Sequence, residues 1–235
     1  MNSNSALTRI LGPEQSHQSS VSIRAICAST INGSSTISGR SKSLGNELDG
    51  QLLNALRDWC DVVLVGAETV RSENYFGVQP TPKKSSPARM AVVTSSMEFF
   101  WDKQFFYNYY SPHIFLVPND SIEKPENKSK IIRLQEHGDV VNTAGGDIID
   151  CITALTRMGF KRILCEGGPS VFGGLIAADA VDQLYLTLDP TLTSAVESPV
   201  TRDASETIAT QRMQLESVEQ CPDSTLFLRY GRRSR

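Results

Sequence analysis

Unbroken apolar runs that stop at glycine or proline, with helical spacing between them, recur along the chain and limit what it can fold into. The clearest is DVVLVGAETV (61–70), where Val62 to Val65 carry no polar alternation and Gly66 ends the run. Such a run fits a strand covered on both faces. RMAVVTSS (89–96) and HIFLVP (113–118) have the same character, the second stopped by Pro118. VSIRAICAS (21–29) ends just before the Asn32-Gly33 turn signal, DVVNTAGG (139–146) reads as strand then turn, and KRILCEGG (161–168) as a strand. Helical spacing lies between them. ELDGQLLNALRDWC (47–60) sets Leu48, Leu52, Leu53 and Leu56 on one side, behind Asn46 as a cap. DIIDCITALTRMGF (147–160) and SVFGGLIAADA (170–180) read as two further helices. VDQLYLTLDP (181–190) and STLFLRY (224–230) alternate like half-exposed strands. The order predicts an α/β fold: a mostly parallel central sheet, helices on both faces, and antiparallel strands at the C-terminal edge.

The opening MNSNSALTRILGPEQSHQSS is rich in Ser, Asn and Gln, which predicts a flexible leader over 1–20 and a single domain over 21–235. Loops 73–88 and 191–212 are long for a compact domain, which suggests that they are functional or mobile. SIEKPENKSK (121–130) reads as a charged surface connection. Net charge is −3, so no global positive field draws the chain to nucleic acid or to a membrane surface. No run approaches the roughly 18 apolar residues of a membrane span. A cytoplasmic protein is expected. The cysteines at 27, 60, 151, 165 and 221 form no C-x-x-C, and Cys27, Cys60 and Cys165 read as small buried thiols. Three histidines leave little material for a metal site, and none is expected.

Ligands of open α/β sheets sit beyond the carboxyl ends of parallel strands. Three predicted strands end there in suggestive chemistry: Gly66 through Arg71, Thr94-Ser95-Ser96, and Glu166-Gly167-Gly168-Pro169-Ser170. In the last, two glycines let backbone amides approach a ligand, and Pro169-Ser170 suit a first helical turn, where exposed amides attract phosphate. The spacing G-G-P-S-V-F-G-G is not the Rossmann fingerprint. The same residues equally fit a tight strand-to-helix turn without a ligand. Glu166, a carboxylate at the end of a buried run, needs a partner or solvent. Arg57 is an ordinary solvated helix residue unless its helix lines a pocket.

Taken together, RAICASTING (24–33), GRSKSLGNELDGQLLNALRDWCDVVLVGAETVRSE (39–73), AVVTSS (91–96), ILCEGGPSVFGGLIAADAVDQLYLTLDP (163–190) and LFLRY (226–230) resemble the reductase domain of riboflavin biosynthesis. That domain is the C-terminal half of bifunctional deaminase-reductases of the RibD type and also occurs alone. The resemblance implies a dihydrofolate-reductase-like fold, NADPH as hydride donor, and a phosphoribosylamino-pyrimidine substrate, 5-amino-6-(5-phosphoribosylamino)uracil, reduced at C1′ of the opened ribose. It also implies a homodimer. By the same resemblance Glu166 is the catalytic group beside the reacting carbon, and Ser41 and Arg57 face the substrate phosphate. Thr69 and Glu73 flank the nicotinamide, and Ser95 meets the adenosine 2′-phosphate. Gly167, Gly168, Pro169, Ser170, Val171, Phe172, Gly173 and Gly174 wrap the cofactor pyrophosphate.

The chain departs from this pattern in places. Asn32 stands where members often carry Asp, and Glu73 likewise. An arginine common in the following loop has no counterpart at Phe76-Gly77-Val78-Gln79, where Lys83 or Lys84 could stand in. No H-A-E or P-C-x-x-C deaminase signature occurs in the chain. A stand-alone reductase is therefore expected. The alternatives are a dihydrofolate- or pteridine-type reductase, another NADPH-dependent reductase, or a catalytically silent nucleotide-binding homologue.

Overall fold

A computed structural model describes residues 3–13, 21–73, 75–202 and 208–233. Its elements run in the order α1 (Ser3–Leu11), β1 (Ser22–Thr30), α2 (Glu47–Trp59), β2 (Val62–Gly66), α3 (Ala67–Ser72), β3 (Arg89–Val93), β4 (His113–Val117), α4 (Asn119–Ile122), α5 (Lys128–Gln135), β5 (Gly138–Asn142), α6 (Ile148–Arg157), β6 (Arg162–Cys165), α7 (Pro169–Ala177), β7 (Gln183–Asp189), β8 (Met213–Gln220) and β9 (Leu226–Arg232). The strands form one sheet in the order β5-β4-β3-β2-β6-β1-β7-β9-β8. Every pair from β5 to β7 is parallel, and β9 pairs antiparallel with β7 and β8. The mixed architecture expected from the alternation of runs is present.

The apolar runs work as two-sided strands. Side chains alternate across a strand, so Val63 and Val65 enter one core with Leu52 and Leu56 of α2 and Leu134 of α5. Val62 and Leu64 enter the other core, with Leu155 of α6 and Leu175 of α7. Burying a leucine such as Leu52 or Leu56 contributes about 1.5–3 kcal/mol. Asn46 caps α2, its side chain accepting from the Leu48 amide at 3.0 Å, a contact worth about 1 kcal/mol.

Three expectations need correction. The flexible leader does not hold over Ser3–Leu11. There α1 packs on α2, β8 and β9, with Ala6 and Ile10 buried. The polar composition concealed apolar residues at helical spacing, and Arg9 pairs with Glu219 of β8. The rest of the expected leader, residues 1–2 and 14–20, lies outside the described residues. The charged connection at 121–130 is largely helical, carrying the end of α4 and the start of α5. Strand β8 lies where the sequence pattern predicts no strand. It is the sheet edge, and its mixed exposure hides the alternation. No helix among the described residues is long and apolar enough to cross a membrane.

Candidate active site

A cavity of about 830 Å³ lies beyond the carboxyl ends of β1, β2 and β6, the central parallel strands. The floor is Ile26, Cys27 and Ala28 of β1. One wall is α2, which presents Asp49, Leu53 and Arg57 at four-residue intervals and so on one face. The facing corner is made by the turns that follow β2 and β6.

These two turns are locked together by backbone. Glu166 N donates to Leu64 O at 3.1 Å, and Gly66 N to Gly167 O at 2.9 Å. Gly167 has φ +100, where a side chain is strained, and the Gly167–Gly168 peptide is cis. A Cβ at Gly168 would stand 2.7 Å from Thr69 Oγ1. The glycine therefore lets the start of α7 meet α3. Helix α7 begins at Pro169 behind Gly168, which supplies no side-chain cap.

The Glu166 side chain is almost fully buried and held by three donors. Arg57 Nε reaches Oε1 and Nη2 reaches Oε2, both at 2.7 Å, and the Tyr75 hydroxyl also donates to Oε2. Burial raises the Tyr75 pKa well above its ordinary value, and the charge of Glu166 adds to this. Burial works against the charge of Arg57, but the carboxylate of Glu166 outweighs it and raises the guanidinium pKa. Asp49 has a raised pKa because it is desolvated, although a hydrogen bond from Thr187 Oγ1 works the other way. Burial pushes the thiols of Cys27, Cys60 and Cys165 up to about 12, which keeps them protonated at neutral pH.

A strap of chain over 191–202 borders the mouth. Glu197, Ser198, Val200 and Arg202 line the cavity, and Arg202 N donates to Pro169 O at 2.9 Å. Lys42, on the loop between β1 and α2, is a further cation of the lining.

A family model for the RibD C-terminal domain matches residues 22–227. The chain belongs to this family. Its members are the reductases of riboflavin biosynthesis, and the chain is an oxidoreductase of that kind. A curated relative, the 2,5-diamino-6-ribosylamino-4(3H)-pyrimidinone 5′-phosphate reductase of Aquifex aeolicus, is 24% identical over 160 residues, covering 67% of this chain and 69% of the relative. A pyrimidine reductase-like protein of Corynebacterium diphtheriae superposes with a TM-score of 0.81 at 29% identity, covering 92% of this chain and 93% of that one. The riboflavin biosynthesis reductase of Saccharomyces cerevisiae shares the fold, with a TM-score of 0.62 at 16% identity and coverage of 97% and 96%.

Of the residues the RibD-type resemblance singles out, Ser41, Arg57, Thr69, Glu73, Glu166, Gly167, Gly168, Pro169, Ser170, Val171 and Phe172 all line the cavity. Ser41 and Glu73 are in contact, the Ser41 amide donating to Glu73 Oε1 at 2.7 Å. Ser95, Gly173 and Gly174 are not in the lining. Ser95 is exposed beyond β3, Gly173 is buried, and a Cβ at Gly174 would stand 3.2 Å from Ile148, so this pair serves the packing of α7 on its neighbours. Lys83 and Lys84 do not reach the site. Lys84 donates to Cys60 O, away from the cavity. Asn32 bonds to Thr193 and so ties the β1 turn to the strap. Sequence reasoning missed Lys42, Asp49, Tyr75, Glu197 and Arg202. Only Asp49 carried a signal, the four-residue spacing it shares with Leu53 and Arg57.

Proposed function

We propose that this chain is an NADPH-dependent reductase of riboflavin biosynthesis that acts on 5-amino-6-(5-phosphoribosylamino)uracil at C1′ of the opened ribose. The observation that carries the reading is the β6–α7 corner, where one buried carboxylate and an uncapped helix start share a single cavity. The Aquifex aeolicus relative is named for a closely related phosphorylated ribosylamino-pyrimidine.

The residues present fit the cofactor. Gly168 leaves the cap position of α7 without a side chain, and the amides of Ser170 and Val171 fall among the first orphan donors of a helix. Those donors and the helix dipole suit a pyrophosphate. Thr69 beside Gly168, with Ser41 and Glu73 nearby, would border the nicotinamide end. Ser95, exposed at the end of β3, would meet the adenosine 2′-phosphate outside the cavity. Gly173 and Gly174 would support the helix rather than touch the cofactor. Bound NADPH supplies the hydride.

Glu166 does the electrostatic work. An imine carbon accepts hydride best when its nitrogen is protonated, so positive charge sits beside the reacting carbon. A preorganised carboxylate stabilises that charge in a dry site and accepts from the adjacent ribose hydroxyl. Asp49 lies about 12 Å along α2 from Arg57 and offers a carboxyl to the N–H edge of a pyrimidine. Free thiols throughout the described chain suit a reducing cytoplasm. The exposed edge of β8, with Leu215 and Val218 on its surface, supports a homodimer. Light scattering on the purified protein tests that assembly.

The decisive experiment is Glu166→Gln. We expect kcat for NADPH oxidation with the phosphorylated pyrimidine to fall at least about 100-fold, while NADPH affinity stays near that of the wild type. Full activity in this variant would remove Glu166 from the mechanism. Thermal shift against NADPH and NADH separately tests the cofactor, because a ligand of the folded state raises the melting temperature.

A further inference from the structure

A carboxylate has about four acceptor sites, two on each oxygen. On Glu166, Arg57 occupies one site on each oxygen and Tyr75 occupies the second on Oε2. No further donor among the described residues reaches Oε1, which leaves one acceptor site open in a residue that lines the cavity. The three side chains form one unit. The Arg57 and Glu166 side chains are 13% and 4% exposed, and the guanidinium lies 5.7 Å from the centre of the Tyr75 ring. The fork of Arg57 fixes the plane of the carboxylate, since a planar guanidinium matches it at two points. Tyr75 fixes which oxygen is spent.

We propose that Arg57 and Tyr75 are positioning residues that present Glu166 to the substrate with a single open site on Oε1, and that Arg57 serves this clamp rather than a substrate phosphate. The inference rests on the substrate reading given above. It assigns the anchoring of the phosphate to the other cations of the cavity, Lys42 and Arg202, which make no ion pair among the described residues.

The test compares the phosphorylated ribosylamino-pyrimidine with its dephosphorylated counterpart as substrates for wild type, Tyr75→Phe and Arg57→Lys. Both variants keep the bulk of the side chain, and Arg57→Lys also keeps the charge, so folding is spared. Tyr75→Phe should lower kcat about tenfold on both substrates with the KM values for substrate and NADPH nearly unchanged, the effect of one lost hydrogen bond to a charged group. Arg57→Lys should lower kcat on both substrates as well and leave the wild-type preference for the phosphorylated one intact. Loss of that preference would identify Arg57 as the phosphate anchor and overturn the proposal, as would full kcat in Tyr75→Phe. A wild type that reduces neither substrate removes the functional reading alone. The clamp is then judged by unfolding: Tyr75→Phe must destabilise clearly less in a Glu166→Gln background than in the wild type, and equal losses in both overturn it.

Discussion

The β6–α7 corner and the 191–202 strap border the same cavity and are held by different physics. The corner extends two central strands. Its bonds, Glu166 N to Leu64 O and Gly66 N to Gly167 O, continue the sheet, and its glycines bring α3 and α7 together at atomic contact. The strap is loop held on loop. Ser35 N donates to Ser198 O at 2.7 Å, Gly39 N to Glu197 Oε1 at 2.8 Å, and Glu197 N to Ser34 Oγ at 3.0 Å. Water competes for the exposed side-chain bonds of the strap, whereas the bonds of the corner are backbone bonds at the ends of central strands. The corner is therefore rigid and intolerant of added atoms, and the strap is replaceable part by part.

Gly168→Ala should break the corner and give the largest effect. Its Cβ would sit 2.7 Å from Thr69 Oγ1, so the Thr69 side chain, α7 or α3 must shift. Overpacking of this kind costs about 1–3 kcal/mol. Because the shift displaces the start of α7, NADPH affinity should fall by at least about tenfold, the equivalent of about 1.4 kcal/mol. Titration of NADPH fluorescence measures it. Thr69→Ala in the same chain removes the colliding oxygen and should restore part of the affinity. No recovery would mean that the glycine is needed for its backbone alone.

The α2 wall stands between the two extremes, and Asp49 is its sensitive point. Desolvation raises the Asp49 pKa in the folded protein, against the opposing bond from Thr187. Folding then favours the protonated carboxyl. That favourable contribution is complete below the unfolded pKa and is lost as pH rises through the raised folded pKa. At pH 7 the desolvated carboxyl therefore costs stability. Asp49→Asn should raise the melting temperature at pH 7 by about 2 °C, with the gain disappearing toward pH 3.5. A lower melting temperature at pH 7 would show that the carboxylate has a stabilising partner, and would move this wall closer to the corner in character.

How far the sequence could be read follows the same division. Strands β2, β3, β4 and β6 were legible because burial on both faces leaves an unbroken apolar run. Helix α1 was not, since its polar composition outweighed Ala6 and Ile10, and their burial depends on β8 and β9 more than 200 residues later. Glu166 through Gly168 could be singled out because strand end, carboxylate and glycines are adjacent in the chain. Tyr75 could not, since its bond to Glu166 spans 91 residues, and the bond of Thr187 to Asp49 spans 138. Nothing local marks Tyr75 or Thr187. Arg57 was legible as a site residue by resemblance, but its engagement with Glu166 was visible only once β6 and α2 were in place.

Glu197→Ala should give the smallest effect and so sharpens the contrast. The Glu197 side chain accepts from Gly39 N at 2.8 Å and from Thr36 Oγ1 at 3.2 Å, and both bonds are exposed. Exposed bonds and charges of this sort are worth about 0.5–1 kcal/mol, because water replaces them when they are removed. The melting temperature should fall by no more than about 3 °C. The backbone bonds of the strap, from Ser35 N to Ser198 O and from Arg202 N to Pro169 O, remain in the variant. The mouth therefore keeps its path while losing one tie, and substrate KM should rise a few-fold with kcat unchanged. A fall in kcat comparable to that of Glu166→Gln would place the strap in the catalytic machinery and erase the distinction between the two regions.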